Sequence, residues 1–233
     1  MVLGIIGAMD VEVQLLKQTL EDRCVVSKAG MDFYKGKLRG VDAVVVQCGV
    51  GKVNATICTQ VLCSCFDVTH LINTGIAGSL DARLDICDLV ISEEVMHHDM
   101  DCSCLGYPVG QVPGMNTREF PADKELIRRA LAVAEQKKPG HTWSGRIASG
   151  DQFIASKERK EEIIRNTQAI CTEMEAAAIG HTAYRNGVPY VIIRAISDKA
   201  DDSEQMEYPV FEAIAARLCA EVTLDLAKSL SDM

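Results

Sequence analysis

The sequence predicts an α/β domain built on a largely parallel sheet, and three observations carry that expectation. Short β-branched runs alternate with segments of helical period along nearly the whole chain, the pattern of strands joined by crossover helices. Glycine-containing turns stand between many of these segments. The 233 residues, 48% of them hydrophobic, suffice for one large core and contain no linker that would divide it, so residues 1–233 read as a single domain.

Taken in order, Val2 to Ile6 is an apolar run, Gly7-Ala8 turns, and Met9 to Leu20 sets Val13, Leu16 and Leu20 at helical spacing. Strand, tight turn and helix result. Cys24 to Lys28 and Phe33 to Leu38 read as hairpin strands with turns at 29–32 and 39–42, and their antiparallel pairing makes the sheet mixed. Ala43 to Cys48 is a central strand and Gly49-Val50-Gly51 a glycine turn. Lys52 to Phe66 is a helix expected to turn Val53, Ile57, Val61 and Cys65 inward. Thr69 to Thr74 is the next strand, ended by Gly75-Ile76-Ala77-Gly78, and Asp88 to Val95 follows. His97 to Arg118 has no period and holds Gly106, Pro108, Gly110, Pro113 and Gly114, which makes it a lid, a site wall or an interface. Ala122 to Gln136 reads as a helix, Trp143 to Ser149 as a strand, and Ser156 caps a charged helix to Asn166. Ala169 to Thr172 and Tyr190 to Ala195 are strands on either side of a helix from Glu175 to Asn186, which Gly187 ends with Pro189 beyond. A final amphipathic helix runs from about Pro209 to Ser229.

Composition narrows the partners. With 24 Lys+Arg against 33 Asp+Glu the formal net charge is −9, which repels phosphate backbones and anionic lipid, so no nucleic acid and no membrane surface is expected. The apolar runs fall far short of the roughly 20 residues that cross a bilayer. The first cation is Lys17, after Asp10 and Glu12, so the N-terminus lacks a basic leader and a cytoplasmic location is expected. The ten cysteines include no Cys-x-x-Cys and are expected to stay reduced, with Cys48, Cys58, Cys63, Cys65 and Cys171 as small hydrophobes. Cys102 and Cys104 have only His97 and His98 nearby, too few well-spaced ligands for a zinc site, so no metal is expected.

In open α/β sheets ligands bind beyond the carboxyl ends of the strands. Those ends hold Glu12, Gly49 to Gly51, Gly75 to Gly78, Gly150 to Ile154, Glu173-Met174-Glu175 and Arg194 to Asp198, and four of the six carry carboxylates. The glycines fit neither Gly-x-Gly-x-x-Gly nor a P-loop, so neither a nicotinamide nor an ATP cofactor is expected.

The strings Ile6-Gly7-Ala8-Met9-Asp10-Val11-Glu12, Gly49-Val50-Gly51-Lys52-Val53-Asn54-Ala55, Asn73-Thr74-Gly75, Ser149-Gly150-Asp151-Gln152-Phe153-Ile154, Glu173-Met174-Glu175-Ala176 and Arg194-Ala195-Ile196-Ser197-Asp198 occur in this order across the chain. In this it resembles the 5'-methylthioadenosine/S-adenosylhomocysteine nucleosidases of the purine nucleoside phosphorylase-like superfamily. The resemblance implies a single-domain, three-layer α/β/α fold and hydrolysis of the adenine N-glycosidic bond, with no cofactor. Adenine leaves readily once N7 is protonated, while the ribose gains oxocarbenium character and water attacks the opposite face; two carboxyl groups in different protonation states suit that chemistry.

By resemblance, Asp198 protonates the purine, oriented by Ser197, and Glu12 activates the water, held ionised by the dipole of its helix. Glu175 accepts from both ribose hydroxyls with Met174 beside the sugar, Arg194 fixes the water and Glu175, Phe153 stacks on adenine, and Ile154 offers backbone groups to its edge. Ala8, Met9, Val50 and Gly78 line the pocket, and the loop with Cys102, Leu105, Tyr107 and Pro113 reaches the site of a second subunit, implying a homodimer. Three positions depart from the family pattern: Ile76 replaces a small hydroxyl residue, Leu105 an aromatic one, and Tyr208 a Phe over the ribose. The alternatives are a phosphorolytic enzyme of the same fold, disfavoured by Asp10 and Glu12 after the first glycine turn, an aminodeoxyfutalosine nucleosidase, and a non-catalytic nucleoside-binding protein.

Overall fold

The structure, a computed structural model, describes residues 1–201 and 208–231, with Tyr208 and Pro209 described by backbone alone. In chain order it comprises β1 (Val2–Gly7), α1 (Asp10–Thr19), β2 (Glu21–Lys28), β3 (Met31–Leu38), β4 (Val41–Gln47), α2 (Lys52–Cys65), β5 (His70–Ser79), β6 (Leu89–His97), β7 (Phe120–Pro121), α3 (Lys124–Lys137), β8 (Thr142–Ser149), α4 (Lys157–Thr167), β9 (Cys171–Glu173), α5 (Ala176–Asn186), β10 (Tyr190–Asp198) and α6 (Tyr208–Ser229).

The strands form one mixed sheet in the order β10-β6-β8-β9-β5-β1-β4-β3-β2, with β7 on β6. Because β10 also pairs with β5, the five strands β5, β10, β6, β8 and β9 close on themselves, and β1, β4, β3 and β2 extend from that ring as an open sheet. Strand β5 makes both parts possible. Its first residues run parallel to β1, from His70 beside Leu3 to Asn73 beside Ile6. Nearly its whole length runs parallel to β10, and Gly78 and Ser79 pair antiparallel with β9.

This corrects the expected end of β5 at Thr74. Gly75 to Gly78 continue the strand, and its two glycines leave room for neighbouring side chains rather than making a turn. The hairpins are tighter than expected: Ala29-Gly30 and Arg39-Gly40 are two-residue turns with positive φ at both positions, the conformation that matches the twist of paired strands.

Period-two alternation places the two cores. On β1 and β4, Leu3, Ile5, Ala43 and Val45 face one side with Val13 and Leu16 of α1, Leu126 of α3 and Leu226 of α6. Ile6, Val44 and Val46 face the other with Leu62 of α2 and Ile179 of α5. Each of these large aliphatic side chains contributes about 1.5–3 kcal/mol by leaving water. Helix α2 departs from expectation. Ala55, Cys58, Thr59 and Leu62 turn inward, whereas Val53 is 69% exposed, Ile57 and Cys65 are exposed and Val61 is half-buried. The helix packs against α5, whose buried residues are mostly Ala and Gly, and small residues on both helices permit that close approach. All ten cysteines are unpaired; Cys48, Cys58, Cys171 and Cys219 are buried and Cys63 half-buried. Among the described residues no helix is long and apolar enough to cross a membrane.

Candidate active site

Strand β1 delivers Met9 as the N-cap of α1, and the Glu12 side chain folds back over that end. Its Oε2 accepts from the N–H groups of Ala8 (2.6 Å) and Met9 (3.0 Å), and its Oε1 from the N–H of Ile76 (3.1 Å). Glu12 is therefore a buried group at the meeting of β1, α1 and β5, not a solvated first-turn glutamate. Burial raises its pKa despite the opposing pull of Arg194 and the three N–H groups. The helix dipole expected to favour its ionised form is thus opposed by the loss of water on burial.

Arg194 lies fully buried in β10. Its Nη2 donates to Glu173 Oε2 at 2.6 Å and to Asn73 Oδ1, and its Nη1 donates to the carbonyl of Ile76 at 3.1 Å. Glu175 and Glu12 stand farther off, at 3.8 and 3.9 Å. Burial opposes its charge, and the carboxylates of Glu173, Glu12 and Glu175 outweigh it, so its pKa is raised and the guanidinium stays charged.

Glu173, to which the sequence reading gave no role, is therefore the main anchor of Arg194. It also accepts from Ser149 Oγ and from the N–H groups of Glu175 (2.9 Å) and Ala176 (2.8 Å), fastening the start of α5. The signal was its place in Glu-x-Glu between a strand and an alanine-rich helix. Glu175 sits at the N-cap position of α5, and its Oε1 accepts from the Gly51 N–H at 2.8 Å. Burial and then the neighbouring Glu173 push its pKa up to about 8.

Asp198 ends β10. Its Oδ2 accepts from Ser197 Oγ at 2.8 Å and its Oδ1 from the Ala200 N–H at 2.8 Å. Gly78 leaves room for it, since a Cβ there would lie 2.7 Å from Oδ1.

These groups open onto one cleft. Of the expected residues, Ala8, Met9, Glu12, Val50, Ile76, Gly78, Phe153, Ile154, Met174, Glu175, Arg194, Ser197 and Asp198 line it, joined by Ala77, Gln152, Thr172 and Glu173. Phe153 is 61% exposed, at the rim. Cys102, Leu105 and Pro113 do not line this cleft, and Leu105 is 72% exposed. The Tyr208 side chain lies outside the described residues. Among the described residues no group of three or more His, Cys, Asp or Glu side chains is arranged to hold a metal ion.

The chain is similar to known proteins along nearly its whole length. Residues 2–228 match the family model described as the phosphorylase superfamily. The chain is 40% identical over 229 residues, 98% of its length and 100% of the relative's, to a 5'-methylthioadenosine/S-adenosylhomocysteine nucleosidase of Staphylococcus haemolyticus. It superposes with a TM-score of 0.94 and 37% identity, covering 98% of this chain and 99% of the other, on the crystal structure of the nucleosidase of that name from Neisseria meningitidis in complex with methylthio-immucillin-A. A futalosine hydrolase mutant of Helicobacter pylori gives 0.93 at 31% identity, covering 98% and 99%.

Proposed function

The chain belongs to the phosphorylase superfamily and, within it, to the 5'-methylthioadenosine/S-adenosylhomocysteine nucleosidases, and from that premise we propose that it hydrolyses the adenine N-glycosidic bond of both nucleosides. Free adenine and the thioribose are the products. Asp198 is the general acid that protonates the purine at N7, with the Ser197 hydroxyl orienting it. Glu12 is the base that activates the attacking water. Its raised pKa suits a group that must both take and return a proton. The 3.9 Å between Glu12 Oε1 and Arg194 Nη1 is too long for a direct hydrogen bond and lets one water oxygen be held by both. Ile76 contributes through its backbone, which touches both groups, so its apolar side chain does not prevent water positioning. Glu175 takes the ribose hydroxyls with Met174 against the sugar, and Phe153 and Ile154 hold the base.

The observation that carries the reading is the make-up of the cleft lining. Four carboxyl groups, of Glu12, Glu173, Glu175 and Asp198, face it against the single cation Arg194 among the described lining residues. That cation is already engaged by Glu173. A phosphate nucleophile needs cationic or amide donors, and the backbone N–H groups nearest the water position are taken by Glu12. Water is the nucleophile that this wall accepts.

Assembly belongs to the same proposal. Val50, Val53 and Ile57, at and beyond the glycine turn, and Tyr184 of α5 present apolar side chains to solvent, and the loop with Cys102, Leu105 and Pro113 does not reach its own cleft. A second copy of the chain fits both facts, with this loop completing the partner's site.

Incubation with each nucleoside, with and without phosphate, tests the reaction. Free adenine and free alkylthioribose formed independently of phosphate are expected; a sugar 1-phosphate formed only with phosphate overturns the reading. The similarity to a futalosine hydrolase favours one further reading, and aminodeoxyfutalosine in the same assay decides it by comparison of kcat/KM.

A further inference from the structure

Three segments at the mouth of the cleft are tied together by a closed ring of hydrogen bonds whose side chains do not line it. Lys52 Nζ donates to Asp99 Oδ1 at 2.5 Å, the Asp151 N–H donates to Asp99 Oδ2 at 2.9 Å, and the Lys52 N–H donates to Asp151 Oδ1 at 2.7 Å. Lys52 begins α2 directly after the glycine turn, Asp99 opens the long loop after β6, and Asp151 follows β8. The Lys52 and Asp99 side chains are only 19% and 16% exposed, so solvent screens this pair less than a surface ion pair. Burial alone raises the Asp99 pKa; the Lys52 ammonium and the Asp151 N–H outweigh it and hold the carboxyl below its usual range.

Two of the three segments carry groups of the substrate-binding wall. Gly51, next to Lys52, donates the N–H that holds Glu175 Oε1. It does so with φ +99 and with Asp151 Oδ1 only 3.1 Å from where a Cβ would stand, so turn and ring fit closely. Phe153 and Ile154 follow Asp151 by two and three residues. Glu12, Arg194 and Asp198 are fastened by other partners, after β1, in β5 and β9, and after β10.

We infer that Lys52, Asp99 and Asp151 are positioning residues that hold the Glu175 carboxylate and the Phe153–Ile154 wall ready for the nucleoside and join them to the loop leading to Cys102. This rests on the function proposed above. The binding half of the site depends on the ring and the bond-breaking half does not, so its loss separates KM from kcat. Groups held by a broken ring must be reordered by the substrate itself, which weakens binding.

The test is steady-state kinetics on 5'-methylthioadenosine for Asp99→Asn, Lys52→Met, the double variant and Lys52→Arg, with calorimetric binding of adenine alone. In Asp99→Asn and in Lys52→Met KM is expected to rise about tenfold, equivalent to about 1.4 kcal/mol, with kcat within about threefold of wild type. Adenine binding is expected to weaken in parallel. The double variant is expected to be no worse than either single one, and Lys52→Arg to keep most of the wild-type KM. An unchanged KM, a fall in kcat at constant KM, or fully additive effects would overturn the inference. Should Asp99→Asn fail to fold, Lys52→Met carries the same test. If wild type releases no adenine, the functional reading has failed instead, and unaltered adenine binding in the variants then refutes the ring separately.

Discussion

Gly75 lies so close to Glu12 that one methyl group on its α-carbon would overlap the carboxylate, and the Arg194 guanidinium as well. The glycine is thus the space in which the acid side chain and the cation approach. Gly75→Ala is expected to push the two apart and to lower kcat/KM by about 100-fold, the cost of roughly 1 Å of misplacement in a preorganised site. Steady-state kinetics beside a thermal melt checks this. An alanine variant of wild-type activity shows that the contact does not position Glu12.

Asp198 accepts one hydrogen bond on each oxygen, from Ser197 and from Ala200. Asp198→Asn keeps the shape and removes the proton that the leaving purine needs, so turnover is expected to fall by about 10²–10⁴, the usual worth of a general acid. Nucleoside affinity in equilibrium binding is expected to stay within a few-fold. Substantial retained turnover removes Asp198 from its role.

How much of this was legible in the sequence follows from the range of each interaction. Strand β1, the turn after Gly7 and helix α1 are local, and period-two and period-3.6 patterns report local structure faithfully. The residues of the cleft were legible because they stand at strand ends. The continuation of β5 to Ser79 was not, because Gly75 and Gly78 read as turn residues until Glu12, Arg194 and Asp198 are seen filling the space beside them. Glu173 was hidden for the same reason: its partners Ser149 and Arg194 are 24 and 21 residues away. The inward face of α2 was misjudged because size, not hydrophobicity, decides what packs against an alanine-rich helix.

Glu175 ties stability to pH. Its pKa is about 8 in the folded chain against 4.5 for the free group, so between those values the folded state binds a proton more tightly than the unfolded one. Its contribution to stability is fully present below pH 4.5 and is lost as pH rises through about 8. Denaturant unfolding is expected to show stability declining from pH 5 to pH 8, and Glu175→Gln, which carries no charge, is expected to flatten that slope. A wild-type slope unchanged in the variant rules out Glu175 as its source.

Assembly is tested at the apolar surface beside the cleft. Val53 and Ile57 lie one turn apart on α2 with their side chains in solvent, a costly arrangement unless another surface covers them. Ile57→Asp sets a charge in that surface at a position outside the cleft. It is expected to shift the sedimenting species toward the 25.4 kDa single chain and to reduce activity per chain, because the loop bearing Cys102, Leu105 and Pro113 no longer meets a partner's cleft. Dilution of wild type is expected to lower activity per chain over the concentration range in which sedimentation shows dissociation. A fully active monomer in both assays contradicts the contribution of that loop, since each cleft would then be complete within one chain.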